Sequence, residues 1–276
     1  MRPAEVVQRA TRYLDRHGVE SPQSTAEVLL MRVLETDRAG LYTRDVGLDA
    51  REARMFGRAI RQRCAGVPLQ HLTGQQGFRR IVVEVRCGVF VPRPETEMLV
   101  EHALSALGDS PAPVVVDAGT GTGAIALSIK DERPNATVFA TDVSPEAIEL
   151  ARANADRLGL AISVLEGDLL SPLPDDLRGN ADLLISNPPY LPGDELADLP
   201  PEVRADPLLA LVGDLEPYRR LAAEAPAWLR VGGVLAVEIH SGRAEEVVRG
   251  LGAAFVDVRV EPDLAGRDRV VLARSP

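Results

Sequence analysis

Four consecutive residues, Asn187-Pro188-Pro189-Tyr190, follow the apolar run Asp182-Leu183-Leu184-Ile185-Ser186. Two prolines in a row fix φ and remove two backbone donors, leaving a stiff loop that offers carbonyl oxygens and the Asn187 amide. Such a loop suits a planar NH2 group. The Asn187 side-chain oxygen and the Pro188 carbonyl can each accept one of its hydrogens, and the Tyr190 ring can stack on its plane. Upstream, Asp117 opens the glycine loop Gly119-Thr120-Gly121-Thr122-Gly123. Its glycines permit a tight turn and close approach of a ligand to the backbone. The loop lacks the third glycine of a dinucleotide fingerprint and the lysine of a P-loop. Asp142, 25 residues after Asp117, is an acid placed to accept the two hydroxyls of an adenosine ribose. Asp168-Leu169 puts a second acid and an apolar side chain where an adenine would lie.

These residues need elements to position them, and the chain predicts such elements. PVVVD (113–117), TVFATD (137–142), AISVLEGD (161–168), ADLLISNPPY (181–190) and VGGVLAVEIH (231–240) read as strands. The intervening helices include AIALSIKDE and a second one capped by Ser144 with Pro145 at its first position. FVDVRV and RVVLA close the chain as two strands with no helix-length gap. The alternation predicts a doubly wound α/β sheet, mostly parallel, with an antiparallel last strand. Ligands in such sheets bind at the carboxyl ends of the strands. His240, just beyond Glu238 on the fifth of these strands, reads as structural, and Trp228 as core.

Residues 1–65 read as a small helical bundle. Val6, Val7, Ala10, Tyr13 and Leu14 recur at helical spacing before a stop at Gly18. Ser24 and Thr25 open a second helix, and Asp49 to Cys64 forms a third carrying Met55, Phe56 and Ile60 on one side. Residues 66–94 form a proline-rich linker in which RRIVVEVRCGVFV alternates like a hairpin. Residues 95–276 form the α/β domain.

Composition excludes several classes. At 276 residues, 45% hydrophobic and 26% charged, the chain can build a core. No apolar run approaches the ~20 residues of a membrane span. No secretory leader is visible, which predicts a cytoplasmic protein with reduced Cys64 and Cys87. No Cys/His cluster predicts a metal. The net charge of −10 argues against coating nucleic acid. It is unevenly spread: residues 1–80 hold 14 arginines and lysines against 9 acids (+5), and the remainder 17 against 32 (−15).

The glycine loop, Asp142 and Asn187-Pro188-Pro189-Tyr190 together resemble the class I S-adenosylmethionine-dependent methyltransferases that modify planar amino or amide nitrogens. Beyond them, Pro68 to Gly74, Phe90-Val91-Pro92-Arg93-Pro94-Glu95-Thr96-Glu97, Asp117 to Ala126 and Ser186 to Tyr190 resemble the PrmC/HemK family. Pro201-Glu202-Val203-Arg204 and Asp263 to Val270 also fit. The resemblance spans essentially the whole chain. It implies a Rossmann-like, seven-stranded fold with a small N-terminal helical domain that recognises the partner. It also implies methylation, by S-adenosyl-L-methionine, of the N5 amide nitrogen of the glutamine in the Gly-Gly-Gln loop of class-1 peptide chain release factors, giving S-adenosyl-L-homocysteine. In that reading Asn187, Pro188 and Tyr190 are catalytic, and Pro189 joins them in binding substrate. Gly119 to Gly123, Asp142, Asp168, Leu169 and Asn187 hold the cofactor. An aromatic often follows the acid in this family, where Leu169 stands here. Competing readings are a glutamine methyltransferase of ribosomal protein L3, a DNA adenine-N6 methyltransferase, and a cofactor-binding module without catalysis. The acidic body and the lack of an added target-recognition domain weigh against DNA.

Overall fold

The computed structural model describes residues 1–200 and 202–276; Pro201, part of one of the motifs above, lies outside them. By contacts the chain divides into two units, Met1–Gln75 with Pro200–Ala205, and Gln76–Leu199 with Asp206–Pro276.

The first unit begins with α1 (Pro3–Arg16), α2 (Pro22–Leu34), α3 (Arg38–Thr43), α4 (Ala50–Cys64) and α5 (Leu69–Thr73). Val7, Leu14, Leu29, Leu30, Leu41, Phe56 and Ile60 form its core. Helix α4 starts with a full capping box, in which Asp49 accepts from the Glu52 N–H at 2.8 Å and Glu52 accepts from the Asp49 N–H at 2.8 Å. Three expectations are corrected. Helix α2 starts at Pro22, not at Ser24, because proline is pre-organised for the first helical position. Tyr13 and Met55 are exposed at 44% and 45%, since both fall on the outer edge of their apolar stripes. Helix α3, only six residues long, escapes a periodicity argument. Among the described residues, no helix is long and apolar enough to cross a membrane.

A hairpin follows, β1 (Gln75–Phe78) and β2 (Ile81–Glu84), all but its first residue in the second unit. The expected hairpin at RRIVVEVRCGVFV therefore lies earlier: Arg79 and Arg80 are its turn, and residues 85–91 carry no strand. Then follow α6 (Thr96–Leu107), β3 (Val114–Ala118), α7 (Ala124–Glu132), β4 (Thr137–Asp142), α8 (Pro145–Leu158), β5 (Ser163–Glu166), β6 (Ala181–Ser186), α9 (Leu208–Leu211), α10 (Glu216–Glu224), β7 (Leu229–Glu238), α11 (Ala244–Leu251), β8 (Val256–Pro262) and β9 (Asp268–Arg274).

Seven of these strands form one sheet in the order β5-β4-β3-β6-β7-β9-β8. Pairing is parallel from β5 to β7, while β9 runs antiparallel to both β7 and β8. Alternation along each strand feeds two cores. Val115, Leu183, Ile185 and Ala236 point to the face covered by α6, α7, α8 and the hairpin. Val116, Leu184, Leu235 and Val237 point to the face covered by α10, α11 and the buried Trp228. The chain reverses direction across the sheet between β3 and β6. In sheets of this kind ligands bind at the carboxyl ends of the strands beside such a switch point.

Candidate active site

At the end of β3, Asp117 is fully buried and its Oδ2 accepts from Thr120 Oγ1 at 2.6 Å and the Ala126 N–H at 3.2 Å. Burial pushes its carboxyl up to about 7, and the nearby Asp142 adds to the push. Its Oδ1 is buried with no partner. The N–H groups of Gly119 and Thr120 both donate to the Thr141 carbonyl at 2.9 Å, which folds the glycine loop over the neighbouring strand. Asp142, the last residue of β4, accepts from the Gly121 N–H at 2.8 Å and the Ser144 N–H at 2.9 Å. A carboxylate has about four acceptor sites, so capacity remains for hydroxyl donors. Its pKa is raised by burial against these backbone donors.

The loop residues do not all face one way. Gly119 and Gly121 have φ of +77° and +56°, and a side chain on either would project into open space. That empty cradle, together with the partner-free Asp117 Oδ1, fits the amino acid part and ribose of a sulfonium nucleoside. Gly123 instead packs on Leu127 and Ala151, Thr120 turns its hydroxyl inward to Asp117, and Thr122 is buried. Gly123 and Thr120 thus offer backbone or loop shape, while Thr122 Oγ1 is buried with no hydrogen-bond partner. Asp168 also departs from expectation. It lies two residues beyond the end of β5, is exposed, and is held by Arg220 of α10 at 2.8 and 3.1 Å. Leu169 sits in the left-handed region at φ +46°, its carbonyl accepting from Thr141 Oγ1 at 2.7 Å.

On the other side of the switch point, Ser186 ends β6 and donates to the Ala118 carbonyl at 2.7 Å, tying the two strand ends together. Asn187 follows, half-buried, with Nδ2 donating to Thr96 Oγ1 at 3.1 Å. Its Oδ1 thereby faces away from Thr96. Pro188 is buried, and Tyr190 donates its hydroxyl to Glu238 Oε1 at 3.3 Å. Burial and the Glu238 charge raise the Tyr190 pKa, so the phenol stays protonated. The loop is clamped from outside: the Leu191 N–H donates to the Leu211 carbonyl at 2.9 Å, and Gly213 approaches so closely that a Cβ there would sit 2.2 Å from the Pro189 carbonyl oxygen. His240 stands beside Tyr190, ring centroids 6.2 Å apart, and accepts weakly from the Gly242 N–H at 3.4 Å.

Sequence reasoning passed over three residues here. They are Thr96 and Glu238, 3% and 1% exposed, and Gly213. The readable signal was Glu238, one acid in the apolar run VLAVEIH. Among the described residues, no cluster of His, Cys, Asp and Glu is arranged to hold a metal ion.

Comparison with known proteins shows what the chain is similar to. Residues 5–74 match the PrmC N-terminal domain, and residues 83–199 the Methyltransferase small domain. The release factor glutamine methyltransferase of Deinococcus radiodurans is 44% identical over 280 residues, covering 99% of each chain. That of Moorella thermoacetica is 43% identical over 274 residues, covering 96% of this chain and 95% of the other. Among solved structures, a methyltransferase from Pyrococcus furiosus aligns with a TM-score of 0.52 at 20% identity, covering 70% of this chain and 87% of its own. A Thermus thermophilus 16S rRNA N2 methyltransferase, in complex with AdoMet and guanosine, aligns at 0.55 and 20% identity, covering 73% of this chain and 50% of its own. The last two share the fold.

Proposed function

The chain belongs to the release factor glutamine methyltransferase family, and from that premise we propose how its own residues carry out the reaction. The protein methylates the glutamine of a release factor. The nitrogen modified is N5 in the Gly-Gly-Gln loop, and the methyl donor is S-adenosyl-L-methionine. The relatives named above carry release factor in their names, and no observation in the structure favours L3 or DNA as substrate.

S-adenosyl-L-methionine, when bound, supplies a methyl group on a sulfonium, an electrophile that needs no metal. Asp142 would accept the ribose hydroxyls, and Gly119 and Gly121 leave room for the methionine part. Asp117 Oδ1, buried and without a donor, is available to a cationic amine.

An amide nitrogen is a poor nucleophile because its lone pair is shared with the carbonyl. Orientation is therefore the main help the protein can give, and it is worth several kcal/mol of barrier. Asn187 Oδ1 and the Pro188 carbonyl accept the two N–H hydrogens of the glutamine. The two prolines keep these acceptors fixed, so little reorganisation is needed when substrate arrives. The Tyr190 ring covers the amide plane. Asn187 and Pro188 hold both hydrogens until the nitrogen, positively charged and strongly acidic once it carries the methyl group, releases one of them to solvent.

The observation that carries this reading is the Asn187 amide, anchored by Nδ2 on Thr96 with Oδ1 left to accept. Asn187→Ala should abolish methylation of a release factor, read by mass spectrometry of the Gly-Gly-Gln peptide, while calorimetry still detects cofactor binding. Retained wild-type activity overturns the role of Asn187.

A further inference from the structure

Glu238 is the only acid in a strand segment otherwise made of apolar residues, and it lies wholly inside the protein beneath the Asn187–Tyr190 loop. Burying a carboxylate is costly unless it is paired and hydrogen-bonded. One oxygen, Oε1, accepts from Tyr190. The other, Oε2, is buried with no hydrogen-bond partner. The Thr96 hydroxyl is close enough to the carboxylate to favour its charged form. Thr96 is itself buried, and its oxygen takes the Asn187 Nδ2–H. Its one hydroxyl hydrogen needs an acceptor, and the Glu238 carboxylate needs a donor.

We propose that Thr96 and Glu238 are positioning residues, forming a relay in which Asn187 donates to Thr96, Thr96 donates to Glu238, and Tyr190 donates to the same carboxylate. The relay rests on the role assigned to Asn187 above. An asparagine side chain can present either end of its amide, and only the oxygen end can accept a glutamine N–H. A hydroxyl has a single hydrogen. Once it goes to Glu238, Thr96 can only accept, so Asn187 must turn its NH2 inward and its oxygen to the substrate. A buried anion thus sets the direction of every bond in the chain. The same anion holds the Tyr190 ring.

The groups around Glu238 are mixed in sign. The Arg269 guanidinium favours the charged form, while burial and Glu95 oppose it, and the carboxyl is pushed up to about 7. Arg269 is itself held by Asp263 at 3.2 Å.

Two substitutions at Thr96 separate hydrogen bonding from packing. Thr96→Val keeps the shape and loses the hydroxyl, whereas Thr96→Ser keeps the hydroxyl and loses a methyl. With release factor and S-adenosyl-L-methionine both saturating, T96V should lower kcat by about 10- to 100-fold, the size expected for a misplaced reacting group. T96S should stay within about threefold of wild type, since its donor and acceptor are intact. Glu238→Gln, which replaces one of the two acceptor oxygens by an NH2 group that can only donate and so faces one of the two hydroxyls with a donor, should resemble T96V. Affinity for S-adenosyl-L-homocysteine, measured by calorimetry, should be unchanged in all three. If T96V or E238Q turns over like wild type, the relay is wrong. A serine variant as slow as the valine one also overturns it, because packing then explains both. Activity in Asn187→Ala would instead remove the premise, so the two failures are distinguishable.

Discussion

Gly213 shows how much of the site depends on a single missing atom. Its backbone is not in the left-handed region, so the requirement for glycine comes from the close approach to Pro189 alone. Gly213→Ala would push on the carbonyl of a loop that two prolines prevent from yielding. We expect kcat to fall by about tenfold or more while cofactor affinity holds, because displacement of a positioned acceptor acts on orientation. A steady-state assay beside calorimetry checks this; an unchanged kcat would mean the loop can move after all. Asn187, Tyr190 and Asp142 stand out in the sequence as candidates because their signal is local: an unusual tetrapeptide, or an acid closing an apolar run. Thr96 and Gly213 do not, because their partners lie far along the chain. Thr96 meets Asn187 across 91 positions, and only the folded sheet brings them together. The ion pair of Asp168 was hidden for the same reason, since its partner Arg220 lies 52 positions away.

At the scale of elements, one buried side chain ties three together. Asn154 on α8 is fully buried, accepts from the Glu84 N–H at 2.7 Å, and donates to the carbonyls of Glu84 at 3.1 Å and Thr122 at 3.0 Å. It thus links the hairpin, α8 and the glycine loop. Asn154→Ala would strand those backbone groups away from water, each at about 1–3 kcal/mol. A loss of a few kcal/mol by chemical denaturation is expected, together with weaker cofactor binding through the loosened Thr122. Wild-type stability would show that water replaces the amide. Helix α8 itself was readable from Ser144-Pro145, and its cap forms as expected, with the Ala147 N–H on Ser144 Oγ at 3.2 Å. The hairpin was displaced in the reading because apolar alternation continues through residues 85–91, where no partner strand exists. Arg79 instead anchors the turn, bonding Glu132 at 2.5 Å and Glu101 at 2.8 Å. Those partners belong to α7 and α6, and no local pattern reveals them.

For the whole molecule, the mostly parallel sheet followed from strands separated by helices, and the final antiparallel strand from the short gap before it. The position of that strand did not follow. Two strands adjacent in sequence read as a plain hairpin at an edge, yet β9 is inserted between β7 and β8, pairing Val234 with Arg274 and Val256 with Arg274. This order has a consequence for how the chain acquires its structure. Until β9 joins, β7 presents an open row of backbone donors and acceptors beside apolar Val234, Leu235, Ala236 and Val237, and β8 has no neighbour at all. An uncovered strand of that kind is a template for pairing with other chains. Shortening the protein before Asp268 should therefore yield material that self-associates, seen by light scattering, rather than a dilute monomer with a slightly weakened core. Folding of the sheet is a race between insertion of its last strand and aggregation along the edge that strand is meant to close.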